Sequence, residues 1–223
     1  MRTGPARRQD APFFTAPGFL VWFVGLIVLA HLVRILLPDG LNMQALYWFA
    51  LWPDRFHAML DGGASAVSYT PLTFLAACIG YIFVHADWMH VLLNCGMLLA
   101  LGAPVARRHG ARKFFLIFFA AALAGALVFF LVRGADGPPA IGASGGVCGI
   151  LAGAFLLMAG PRAGWPELVS RSFLQSSAAF LLINIALIFF GPSLFGAAIA
   201  WDTHIGGCIT GALVMAALAS TRW

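Results

Sequence analysis

The stretch PPAIGASGGVCGILAG, residues 138–153, sets one serine, Ser144, among five glycines and then runs on as an apolar segment. A hydroxyl inside so bare a stretch has two readings. It is a small residue that lets helices pack closely, or it is a nucleophile cleared of neighbouring side chains. The stretch alone supports both, so the rest of the chain has to choose.

The 223 residues are 61% hydrophobic and 9% charged, with a mean hydropathy of +0.92. Soluble domains carry about 25% charged residues. This chain has too few polar groups to cover a globular surface, so lipid is part of its solvent. Backbone groups in lipid must be satisfied internally, which leaves helices or a closed barrel. Runs of roughly 20 apolar residues select helices. The expected class is all-α: a polytopic bundle of six transmembrane helices, one compact domain over 18–223 behind a short cytoplasmic tail at 1–17. The charged start MRTGPARRQD has no small-residue cleavage site after the following apolar run, so that run reads as a first span and not a removed signal.

The expected spans are 18–37, 88–105, 113–132, 142–160, 172–191 and 200–219. Residues 38–87 form a long first loop, partly embedded in the outer leaflet. It contains LTFLAACIGYIF, whose apolar core is short for a crossing. A seventh span at 70–84 is the rival reading. Tyr47, Trp48 and Trp52 suit the headgroup level. Arg2, Arg7 and Arg8, then Arg107, Arg108, Arg112 and Lys113, then Arg162 and Arg171, then Arg222 fall on alternate flanks. The opposite flanks hold only Arg55 and Arg133, with Arg34 inside the end of span one. Basic residues gather on the cytoplasmic side, so both termini are expected there. The net charge of +5 follows from this pattern and implies no nucleic-acid partner.

Cys78, Cys95, Cys148 and Cys208 lie in apolar runs and fit no metal spacing. His85, Asp87 and His90 lack the H-E-x-x-H pattern of a zinc hydrolase. No metal or other cofactor is expected. Polar residues inside spans are costly and usually functional. The three spans running inward from outside each carry them near the outer end: His90 and Asn94 in HVLLN, Ser144 in GASGG, His204 in DTHIGG. His90 and Asn94 are four apart and share a helix face. Gly207 and Gly211 continue the face of His204 and allow another helix backbone to approach. That brings span six to span four and a histidine base to a serine. Gly142, Gly145 and Gly146 would leave room for a substrate at the hydroxyl. The Ser144 amide at a helix start, with His90 and Asn94, would make an oxyanion site.

HVLLN, GASGG and HIGGCITG, in this order, resemble the rhomboid family of intramembrane serine proteases over about residues 70–215. The resemblance implies a six-helix core, a Ser144–His204 dyad without a triad acid, and oxyanion donors His90, Asn94 and the Ser144 amide. It implies transmembrane protein substrates cut near the outer face, with no cofactor; oligomeric state stays open. A bacterial inner membrane is expected because no transit-type leader or long tail is present. His85 matches a family histidine that is more structural than catalytic. Cys148 stands where many members have a tyrosine packing on the histidine, and no Trp-Arg pair is evident in the first loop. Asp202, two residues before His204, points to a different helix face and is not expected to be a triad member. A non-catalytic binder of transmembrane helices and a small proton-coupled transporter are the alternative classes. His31 and Asn184 receive no family role, and KFFLIFF (113–119) reads as lipid-facing bulk.

Overall fold

Apolar periodicity without strand signals gives helices throughout. The computed structural model describes residues 16–62, 68–160, 162–195 and 199–220. The N-terminal tail with Arg2, Arg7 and Arg8, and Arg222 at the other end, lie outside the described residues. The described elements are α1 (Gly18–Ile35), α2 (Asp39–Phe49), α3 (Pro53–Leu60), α4 (Pro71–Gly80), α5 (Trp88–Val132), α6 (Ser144–Ala159), α7 (Arg171–Phe195) and α8 (Trp201–Ser220). Short 3-10 turns follow α4 at Tyr81–Phe83 and precede α7 at Trp165–Val169. Helices α1, α5, α7 and α8 are long and apolar enough to cross a membrane. The protein is a multi-pass membrane protein.

The second and third expected spans are one helical run of 45 residues. At 1.5 Å per residue it would be about 68 Å long, more than twice a hydrocarbon core of about 30 Å. It does not run straight. Gly110 has φ +71° and ψ 175°, a backbone region almost closed to residues with a Cβ. The chain folds back there: a Cβ built on Gly102 would sit 3.3 Å from the Phe114 ring, although the two are far apart along any straight helix. Each arm is thus one crossing. Lys113 binds the Leu218 carbonyl at 3.3 Å, tying this bend to the end of α8.

The phenylalanines of KFFLIFF correct the expectation of lipid-facing bulk. Phe114 and Phe118 are fully buried. Phe23 of α1 meets Phe118 edge-on at 5.0 Å and Phe115 at 5.2 Å. Such edge-to-face pairs add about 0.5–1.5 kcal/mol each beyond area burial, so this stretch is the seam between α1 and the second arm of α5. Sequence hydropathy cannot separate a lipid face from a protein face, because both are apolar.

The first loop is helical. Helix α4 starts at a capping box in which Thr70 accepts the Thr73 N–H at 3.2 Å. With its 10 residues it is about 15 Å long. It is too short to cross, which fits the embedded-loop reading and not a seventh span. The loop also has an anchor that the sequence did not reveal. Arg55 is 2% exposed, with its guanidinium over the rings of Tyr47 at 4.0 Å and Tyr69 at 4.1 Å. It donates to the Tyr47 carbonyl at 2.5 Å. Tyr69 in turn donates to the Ala50 carbonyl at 2.9 Å and accepts the Trp52 N–H at 2.9 Å. A tyrosine–arginine–tyrosine sandwich anchors a first loop in which no Trp-Arg pair is evident.

Helix α6 sits at the centre. Residues Gly145 to Ala154 are all buried, enclosed by α5 and α8. Helix α7 is peripheral: Phe173, Asn184 and Gly191 are buried while most of its surface is exposed.

Candidate active site

Backbone ties to the first loop and to the turn ahead of α5 fix the approach to Ser144. Ala140 pairs with Leu51 of the first loop through Leu51 N–H to Ala140 O at 2.9 Å and Ala140 N–H to Leu51 O at 3.0 Å. The Gly142 N–H donates to Tyr81 O at 2.8 Å. The Ala143 N–H donates to His85 Nε2 at 3.3 Å. Extended chain then becomes helix within two residues, and Gly142 takes φ +112° to make the turn. Ser144 is the first residue of α6 and is half-buried. Its amide is one of the helix's unpaired N-terminal donors.

His85 is fully buried in the connection ahead of α5. Burial first, and then the neighbouring His90, push its imidazole down to about 3. It is therefore neutral near pH 7, and a neutral ring can offer a lone pair to the Ala143 amide. Arg34 closes the same turn from α1. It donates to the His85 carbonyl at 2.5 Å and to Asn42 Oδ1 at 2.8 Å. Arg34 is a tie between α1, α2 and this turn. His31 is buried against Trp88 at 4.8 Å between ring centroids and His85 at 6.5 Å.

Helix α8 reaches α6 through glycine. A Cβ on Gly207 would lie 2.1 Å from the Gly145 carbonyl oxygen, and one on Gly211 would lie 2.3 Å from Gly149 Cα. No side chain fits at either point, so the backbones touch. His204 stands one turn before Gly207, and Ser144 one residue before Gly145. Both are thus in the first turns of helices that cross beside them. His90 closes the third side. A Cβ on Gly142 would lie 2.6 Å from His90 Nε2, so the ring covers the turn two residues before Ser144. Asn94, one turn further along α5, is 6% exposed, and its amide donates to the His90 carbonyl at 2.9 Å. An amide has two donor hydrogens, so one remains. Ser144, His90, Asn94 and His204 share one end of the bundle.

The expected substrate gap at Gly145 and Gly146 is filled by protein. Cβ atoms there would meet the Tyr81 hydroxyl at 3.0 Å and the Phe118 ring at 2.6 Å. Gly142, Gly145, Gly207 and Gly211 all mark close packing in the geometry. Cys148 is buried one turn below Ser144. Among the described residues no group of three or more His, Cys, Asp or Glu could hold a metal ion.

Two partners escaped the sequence reading. Asp202 is fully buried and paired with Arg133 at the end of α5. Its other oxygen accepts the Thr203 N–H at 3.0 Å. The Arg133 carbonyl accepts from His57 Nε2 at 2.9 Å, so α3, α5 and α8 meet at this pair. The second partner is Asn184 of α7, whose Oδ1 lies 2.8 Å from His204 Nδ1. A lone amide in an apolar span was a visible signal. Its partner was not, because the facing of α7 and α8 is a matter of packing.

A family model described as "Rhomboid domain" matches residues 63–221. The chain is 31% identical over 214 residues to rhomboid protease GluP of Bacillus subtilis (strain 168), covering 95% of this chain and 37% of that protein. It is 30% identical over 127 residues to rhomboid-related protein 2 of Mus musculus, covering 55% and 41%. It is 27% identical over 159 residues to rhomboid-like protease 3 of Toxoplasma gondii, covering 71% and 57%. The chain thus spans between 37% and 57% of the length of these relatives.

Proposed function

The chain belongs to the rhomboid family, and on that premise we propose that it is an intramembrane serine endopeptidase acting on transmembrane protein substrates. One observation carries the reading. The crossing of α6 and α8 at Gly145–Gly207 sets a serine and a histidine in adjoining first turns, with His90 against the same turn. In this reading Ser144 Oγ attacks a peptide carbonyl and His204 takes its proton. His90, Asn94 and the Ser144 amide hold the oxyanion. His204 returns the proton to the leaving amine, and water then hydrolyses the acyl-enzyme with the same base. The 16 residues of α6 span about 24 Å against a core of about 30 Å. That shortness supports a site a little below the membrane surface, where water still enters.

The basic flanks support a topology with both termini in the cytoplasm and the site opening outward. Substrate helices enter from the lipid beside α7 and the first loop. Their outer ends unwind to present the carbonyl.

The test is labelling of the purified protein in detergent by a fluorophosphonate, which reacts only with an activated serine, alongside cleavage of a transmembrane-helix reporter. The expected result is labelling and cleavage by the parent and neither by Ser144→Ala or His204→Ala. A folded parent that binds the reporter helix but does not label or cleave is a non-catalytic helix binder, and the protease reading fails.

A further inference from the structure

We propose that Asn184 of α7 is a positioning residue for His204, holding the base in the tautomer that catalysis needs. The inference rests on the protease reading of Ser144 and His204 and adds a third member to that pair from a separate helix.

The hydrogen bonds fix the assignment. Asn184 is 3% exposed. Its Nδ2 donates to the Phe180 carbonyl, one turn back, at 2.9 Å. That carbonyl can only accept, so the amide nitrogen is defined and Oδ1 is the atom facing His204. Oδ1 in turn can only accept, so the 2.8 Å contact is His204 Nδ1–H donating to Asn184 Oδ1. A neutral imidazole carries one ring hydrogen. With Nδ1 protonated, Nε2 keeps its lone pair and is the nitrogen able to take a serine proton. The other tautomer would put a hydrogen on Nε2 and aim two acceptors, Nδ1 and Oδ1, at each other at 2.8 Å.

Position on α7 supports a role beyond satisfying a stray amide. Phe173, Ser177, Phe180, Asn184, Leu187 and Gly191 are among the less exposed residues of α7, recur every three or four positions and form one stripe. Leu181, Leu182, Ile183 and Ile185 around Asn184 are exposed apolar residues. One amide is thus set in the inward stripe of an otherwise lipid-compatible helix, at the level of His204. An amide needing only a partner had one in the Phe180 carbonyl. Its second bond, to the imidazole, also ties the orientation of the base to the seating of α7.

The test combines a spectroscopic readout with a kinetic one. Nitrogen NMR of the parent, labelled with 15N-histidine and solubilised in detergent, reports which nitrogen of His204 carries the hydrogen; His204→Gln assigns the signal. We expect Nδ1–H in the parent and loss of that preference in Asn184→Leu. Fluorophosphonate labelling and kcat for reporter cleavage should fall on the order of 100-fold in Asn184→Leu, the scale of a misplaced catalytic group, with KM unchanged. Asn184→Asp keeps an acceptor at the same place and should recover most of the loss. An Nε2–H tautomer in the parent overturns the proposal without any Asn184 variant. So does a folded Asn184→Leu that labels at the parental rate. A parent that shows the Nδ1–H tautomer yet never labels leaves the bond in place and sinks the protease reading instead, so the two failures are distinguishable.

Discussion

At the scale of single residues, glycine decides how close Ser144 and His204 come. Gly145, Gly149, Gly207 and Gly211 are spaced so that two helix backbones touch, and His204 and Ser144 inherit their proximity from that contact. A methyl at Gly207 would have to occupy a point 2.1 Å from the Gly145 carbonyl oxygen, well inside van der Waals contact. Backbone cannot move aside as a flexible side chain can. Gly207→Ala is therefore expected to cost about 1–3 kcal/mol through overpacking and to abolish fluorophosphonate labelling. Gly96, on α5, has open space around its would-be Cβ, so Gly96→Ala should leave thermal stability and labelling unchanged or slightly improved. Equal thermal shifts for the two variants would sink the argument. The packing glycines were visible as a pattern in HIGGCITG. That Gly145 and Gly146 face protein, and not an incoming substrate, was not visible, since a missing side chain looks the same whatever fills the space.

At the scale of elements, the start of α8 is set by an ion pair. Asp202 precedes His204 by two residues and is fully buried, while Arg133 at the end of α5 is 23% exposed. Removing one partner of such a pair strands a buried charge, at a cost of about 3–5 kcal/mol. Arg133→Met should therefore lower the melting temperature sharply. The double variant Arg133→Met with Asp202→Asn should recover a large part of the loss, because no charge is left stranded. A double variant as unstable as the two singles added together would show that the residues act independently. The loss should also slow labelling, since the first turn of α8 carries His204. Helix geometry already said that Asp202 and His204 diverge, because positions two apart lie on different faces. Nothing in the sequence pointed to Arg133, which is 69 residues away along the chain. The same limit hid the sandwich of Arg55 between Tyr47 and Tyr69, whose three members lie on different segments of the first loop.

At the scale of the whole molecule, one end of the bundle gathers His31, His85, His90 and His204, while the end where α5 folds back carries Arg107, Arg108, Arg112 and Lys113. His85 is held down to about 3 by burial and by His90, with His31 and Arg34 adding to the effect. An unfolded histidine titrates near 6.5. Between those two values the unfolded chain binds a proton that the folded chain excludes, so folding stability falls as pH drops from about 6.5 toward 3. The melting temperature should decline over that range. His85→Gln, which keeps an acceptor for Ala143 without a titrating ring, should decline less steeply; identical slopes would remove His85 from the account. Hydropathy and residue type are local quantities, so the order of residues was enough to read the class of solvent, the helical class, the spans and the three polar motifs. The fold-back near Gly110 was legible only as a gap between two spans. Packing settled the rest: which faces meet lipid and which meet protein, what holds the turn before Ser144, and which partner His204 has. In a chain this apolar, lipid and protein interior read alike along the sequence, and only the rotation of each helix against its neighbours tells them apart.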